Sequence, residues 1–89
     1  MRKVRRFFNH YKRTRLLMLQ KIKIKLLEYG YEAKSDNFYV EFYIGKKLYF
    51  IELCREQIRL FNGKDFDFYY SNINRLFDKI TELRDKEAV

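Results

Sequence analysis

Apolar residues recur at three- and four-residue spacing from position 2 to 29, with no Gly or Pro to interrupt them. Met18, Leu19, Ile22, Leu26 and Tyr29 fall within about 100° of one another on a helical wheel, the width of a core-facing stripe. Val4, Phe7 or Phe8, and Tyr11 continue that spacing upstream, so the pattern predicts a helix reaching back to about Arg2. Gly30 stands where a left-handed C-cap ends such a helix, with Tyr31 placed to fold back onto Leu26. A helix of about 27 residues would be ~40 Å long, longer than a domain built from the remaining chain is wide. Residues 1–15 are therefore expected to form a projecting or frayed arm, and 16–89 the globular part of a single domain.

The period then changes from 3.6 to 2. Residues 38–44 alternate, Gly45-Lys46 suits a two-residue type II′ turn, and residues 47–54 alternate again. This turn pairs Phe38 with Leu53, Val40 with Ile51, and Phe42 with Tyr49 on one apolar face. A turn at Arg55-Glu56, or a wider loop there, adds Ile58 and Leu60 to the same face. The result is a three-stranded antiparallel meander over 38–61. Asn62-Gly63 signals a further turn, and residues 64–70 suit a short fourth edge strand, bulged, or an aromatic loop. Ser71 or Asn72 then caps a helix with Ile73, Leu76, Phe77, Ile80 and Leu83 as its core stripe. The expected class is α+β, in the order α-β-β-β-α, with both helices on the apolar face of the sheet. Double-stranded RNA-binding domains share that order. The likeness is one of topology alone, since their Gly-Pro-x-His loop and Lys-Lys-x-Ala-Lys helix start are absent here.

Charge changes the picture more than any other property. Arg2, Lys3, Arg5, Arg6, Lys12, Arg13, Arg15, Lys21, Lys23 and Lys25 precede the first carboxylate, Glu28. From position 26 onward ten basic residues face twelve acidic ones, so the net +8 is the +10 of the first 25 residues less 2 from the rest. Like charges held together repel one another and cost stability, so such a run points to an external polyanion. Nucleic acid is the expected partner: RNA in a ribonucleoprotein, or DNA in a phage or mobile-element setting. Lys46 and Lys47 in the hairpin turn join Arg2, Lys3, Arg5, Arg6, Lys12, Arg13, Arg15, Lys21 and Lys25 as candidate phosphate contacts.

Composition bounds the remaining possibilities. Aromatics at 19%, three Gly and no Pro describe a packed small domain rather than a disordered chain. The single Cys54 precludes an internal disulfide and fits the cytoplasm or another reducing compartment. No apolar run approaches the ~18–20 residues of a membrane span, so no membrane partner is expected. The acid-free start also resembles a mitochondrial address, but it contains no Ser and runs directly into the predicted core helix. Abundant Phe, Tyr, Ile, Asn and Lys is the skew of an AT-rich gene, frequent in low-GC bacteria, phages, mobile elements and organelles.

Two further constellations bear on chemistry. The second sheet face is predicted to show Tyr39, Glu41, Tyr43, Leu48, Phe50, Glu52, Arg59 and Phe61. Tyr39, Tyr43, Phe50 and Phe61 could stack on single-stranded bases. They equally suit a protein partner, the alternative function being a small inhibitor or adaptor of the phage kind. The 66–70 segment, the arm or that partner is expected to cover them. Asp36, Glu41 and Glu52-Leu53-Cys54 resemble the hairpin of PD-(D/E)xK nucleases, in which strand carboxylates hold Mg²⁺. Cys54 occupies the position of the required Lys, so no enzymatic activity, metal or cofactor is expected. His10 has no Ser, Cys or carboxylate near it in sequence and reads as a surface residue.

Overall fold

The helical spacing at the start of the chain forms one continuous helix, α1 (Arg2–Glu28). The structure is a computed structural model that describes the backbone of residues 2–87 and the side chains of 14–87. Leu19, Ile22 and Leu26 of α1 are buried, with Met18 packed beside them. The helix ends in a Schellman motif. The Tyr31 N–H donates to the Leu26 carbonyl at 3.0 Å and the Gly30 N–H to that of Leu27 at 3.0 Å. Gly30 takes φ +91°, a conformation that a side chain would strain. Tyr29, expected in the core stripe, is instead half-exposed, its ring edge-on to Phe77 at 5.2 Å.

Five strands follow, β1 (Ala33–Ser35), β2 (Tyr39–Ile44), β3 (Lys47–Cys54), β4 (Gln57–Phe61) and β5 (Asp67–Tyr70), paired in chain order as an antiparallel meander. The expected three strands are β2, β3 and β4, and the expected register holds. Val40 faces Ile51, Phe42 faces Tyr49, Ile51 faces Leu60 and Leu53 faces Ile58. The fourth strand forms at the edge as β5. The alternation of 38–44 begins one residue late, however. Phe38 does not pair with Leu53; it lies 56% exposed in the turn from β1. There Asp36 Oδ1 accepts the N–H of Phe38 at 2.7 Å and of Tyr39 at 2.8 Å. β1 is the element the periodicity missed. Three residues carry almost no pattern, and only its partner, which sets Ala33 opposite Phe42, makes it a strand.

The turns obey their chemistry with one exception. Gly45 has φ +62° and Lys46 does not enter the positive region, as a type II′ turn requires. Arg55-Glu56 closes β3 onto β4 in two residues, which leaves Arg55 at φ +52°. An L-residue there costs about 1–2 kcal/mol, against the ~0.5–1 kcal/mol that Gly loses to unfolded-state entropy. Arg55→Gly should therefore raise stability by roughly 0.5 kcal/mol, read as a higher urea midpoint. A lower midpoint would mean that the Arg55 side chain contributes more by packing than its backbone costs.

Asn62 organises a longer loop than Asn-Gly alone implies. Its Oδ1 accepts the N–H groups of Lys64 at 2.9 Å, Asp65 at 3.2 Å and Phe66 at 3.1 Å. The chain re-enters the sheet only at Asp67, opposite Phe61. Asp67 thereby reaches the outer face instead of the core, which a two-residue turn would have imposed. Asn72 then caps α2 (Ile73–Glu87), its Oδ1 accepting the Arg75 N–H at 2.9 Å. Leu76, Phe77 and Ile80 are buried. α1 lies over β1 and β2, and α2 over β2, β4 and β5. Both helices thus cover the face carrying Val40, Phe42, Ile44, Tyr49, Ile51, Ile58 and Leu60. The class is α+β as expected, in the order α-β-β-β-β-β-α. The two added edge strands part it from the three-stranded topology of double-stranded RNA-binding domains.

Candidate nucleic-acid interface and open sheet face

α1 keeps its helical backbone to Arg2, and the molecule measures 55 × 23 × 21 Å. The helix is fixed by its C-terminal half, since Leu19 is the first described residue of α1 to be buried. Arg2, Lys3, Arg5, Arg6, Lys12 and Arg13, like His10, have side chains outside the described residues. Arg15 is partly buried, its guanidinium 5.8 Å from the centre of the Phe38 ring. Lys25 is drawn inward, with Nζ 4.7 Å from the Phe77 ring centre. Lys21 is exposed.

Lys46 and Lys47 do not join this set. Their turn lies at the end of the sheet where Gly30, Tyr31, Glu32 and Arg84 gather around Tyr43 and Gly45. The arm leaves from the opposite end. There Thr14, Arg15 and Met18 line a groove of about 480 Å³ with Leu53, Arg55, Ile58 and Ile73. The length of β2, about 20 Å over its six residues, separates the two ends. Lys47 also has a partner already, Glu87 at 3.1 Å, and that ion pair raises its pKa. Arg55 is the cation that sequence reasoning overlooked beside the arm. Its position between two strands marked it only as a turn residue.

The outer face of the sheet carries an aromatic cluster. Phe50 and Phe61 stack at 5.4 Å, and Tyr39 stands edge-on to both, at 6.5 and 6.2 Å. Tyr43, near the Gly45 turn, is exposed at the sheet's end. Among the described residues no element covers this face. Residues 66–70, expected as one possible cover, extend the sheet as β5, and Phe66 turns to the core side against Tyr49 at 5.9 Å.

Arg59 organises the charge on that face. Its guanidinium lies 4.0 Å from the Phe61 ring centre, holds Asp67 bidentately at 2.8 and 2.7 Å, and reaches Glu52 at 3.3 Å. The ion pair holds the Asp67 carboxyl below its usual range and the Arg59 pKa above its own. Burial, and then Glu52, push the Cys54 thiol up, so it stays protonated and donates to Glu52 at 3.3 Å. A depressed carboxyl pKa stabilises the fold above its unfolded value near 4, and the benefit is lost as pH falls through the folded value. The difference in urea midpoint between the wild type and Asp67→Asn should therefore be constant from pH 6 to 8 and shrink below about pH 4. A difference that persists unchanged at pH 3 would assign the effect to something other than this ion pair.

The carboxylates of the nuclease-like hairpin have other occupations. Asp36 is spent on the turn backbone, which holds its carboxyl below the usual range. Glu52 is taken up by Arg59 and Cys54, and Glu41 sits opposite Lys34. Among the described residues no group of three His, Cys, Asp or Glu side chains converges on one point, and no helix is long and apolar enough to cross a membrane. No family model, curated protein or solved structure matches the chain.

Proposed function

We propose that the protein binds the phosphate backbone of nucleic acid through the N-terminal half of α1, without catalysis. One observation carries this reading. A single helix runs from Arg2 to Glu28, no acid precedes Glu28, and among the described residues the apolar packing of this helix on the sheet starts at Met18 and Leu19. A helix whose sequence carries cations and no acid before Glu28 suits phosphates on successive turns of a groove. Arg15 and Arg55 line the groove at its root together with one acid, Glu56, so two cations continue the basic run onto the domain there. The open sheet face supports a second reading, a protein-interaction module. Among the described residues it places Glu41, Glu52 and Asp67 against Lys34 and Arg59, a balance that does not attract phosphate, around an aromatic patch of the kind that dominates interface energetics.

Salt titration of nuclease-treated protein on duplex and single-stranded oligonucleotides tests the first reading. The observed association constant should fall with salt at a log–log slope of about −0.7 to −0.9 per phosphate contacted. Tyr39→Ala, which removes the ring standing edge-on to the Phe50–Phe61 stack, should leave duplex affinity within about twofold. Stacking would show only on single strands, at ~1–3 kcal/mol per base. A flat salt dependence, with binding lost in Tyr39→Ala, would assign the partner to the sheet instead.

A further inference from the structure

The end of the sheet nearest the arm leaves part of the core open. β2 begins one residue later than its alternation, so no β2 residue pairs with Leu53. Leu53 and Ile58 form the last core-facing pair before the Arg55-Glu56 turn. Met18 from α1 and Ile73 from the first turn of α2 flank that pair, and the groove of about 480 Å³ opens among the four. Met18, Leu53 and Ile73 pack against the core yet stay only half-buried. The groove falls within the roughly 300–1,000 Å³ of single-ligand pockets. Its rim is charged. Arg15 Nε is buried without an acceptor among the described residues, and Arg55 is exposed with no ion pair among them. Glu56, Gln57 and Asn74 stand on the rim as well, all three exposed.

We infer that this groove receives one unstacked nucleotide of the nucleic acid held by the arm, an inference that rests on the phosphate-binding reading above. Charge and hydrogen-bonding chemistry together select this occupant. A buried guanidinium N–H with no acceptor, beside a second unpaired cation, calls for an anion with hydrogen-bonding oxygens, and a phosphate supplies them. The apolar floor takes the face of a base, which leaves its stack at least cost where it is unpaired. Gln57 and Asn74 carry amides, which both donate to and accept from base edges. The Glu56 carboxylate only accepts, so it meets a base with an exocyclic amine, such as cytosine. The acid that counts against a bare phosphate site thus has a role beside a base. A hydrocarbon-tailed anion would use the cations and the floor but none of these three groups. The arm holds a strand by its phosphates whatever its sequence, and the groove adds a contact that a fully paired duplex offers only at its ends.

The test uses the full chain, treated with nuclease, and a short duplex carrying one unpaired cytosine. The same duplex with an abasic nucleotide at that position has equal charge and lacks only the base. In whichever version binds better, RNA or DNA, the cytosine duplex should bind roughly tenfold tighter than the abasic one. Asn74→Glu places a carboxylate on the rim, where a helix N-terminus accommodates one. It should bring the two affinities together while the thermal midpoint stays within a few degrees. A cross-link reports placement. Ser71→Cys, in a chain also carrying Cys54→Ser, should form a disulfide with an unpaired cytosine bearing a thiol tether on N4, whereas Tyr43→Cys at the far end of the sheet should not. Equal affinity for the two duplexes, with salt-dependent binding intact, would overturn the inference and leave the phosphate reading standing. No binding to either would overturn both. A preference unchanged in Asn74→Glu, or a cross-link at Tyr43→Cys as strong as at Ser71→Cys, would put the base elsewhere and likewise overturn it.

Discussion

Changing Arg2, Arg5, Arg6, Lys12 and Arg13 together to Gln is expected to lower duplex affinity roughly 10³- to 10⁴-fold near 0.1 M salt. The magnitude follows from counterion release. Each neutralised phosphate contributes about 0.9 to the slope of log affinity against log salt, so five lost contacts flatten it by up to ~4.5. Stability should barely move, because the described core contacts of α1 begin at Met18 and Leu19. Removing five like charges even relieves some repulsion along the helix. Salt slope and thermal midpoint therefore separate a phosphate-binding arm from a merely solvating one. A large loss of stability with an unchanged slope would end the nucleic-acid reading.

The strands that share both a pattern and a partner were legible in the sequence. Alternation in β2, β3 and β4 is consistent with only one register, because a slip of one residue would turn Val40, Phe42 and Ile51 outward together. The C-cap at Gly30 was legible for the same reason: the glycine, the preceding stripe and Tyr31 all require one ending. β1 was not, since three residues specify nothing until Phe42 lies beside them. Nor was the loop at Asn62, where one side-chain oxygen accepting three backbone N–H groups outweighs the tight-turn preference of Asn-Gly.

The candidate site was legible in composition and not in placement. Consecutive cations on one helix stay together whatever the fold, so the basic arm could be named from residue types alone. Lys46 and Lys47 were named beside it as candidate phosphate contacts in the hairpin turn, and where a hairpin turn lies relative to a helix depends on how its strands run; here they run to the end of the sheet away from the arm. The acids of the outer face illustrate the same limit. Glu52 was placed on this face by alternation, but its sharing of Arg59 with Asp67 was not legible, since residues 64–70 were expected as a bulged edge strand or an aromatic loop. Ion pairing between strands depends on loop length, and loop length was the least determined quantity in the chain.

Phe42→Ala should cost about 3–5 kcal/mol, while Phe38→Ala should cost under about 1 kcal/mol, although both belong to one alternating stretch. Phe42 is fully buried, with Tyr31 edge-on at 5.9 Å and Tyr49 tilted against it at 5.9 Å. It sits on β2, the strand that both helices cover, so the cavity left by its ring has walls that cannot close independently. Phe38 lies in the turn and touches the domain through the Arg15 guanidinium. At ~0.05–0.15 kcal/mol per residue, a chain of 89 residues holds roughly 4–13 kcal/mol in all. The larger loss would lower the midpoint of thermal unfolding by roughly 15–30 °C and leave part of the population unfolded at 37 °C. Nucleic-acid affinity, counted per folded molecule, should survive it, because the basic run belongs to α1 and Phe42 to β2. Comparable losses in the two variants would show that Phe38 packs into the core after all, as strict alternation from position 38 requires.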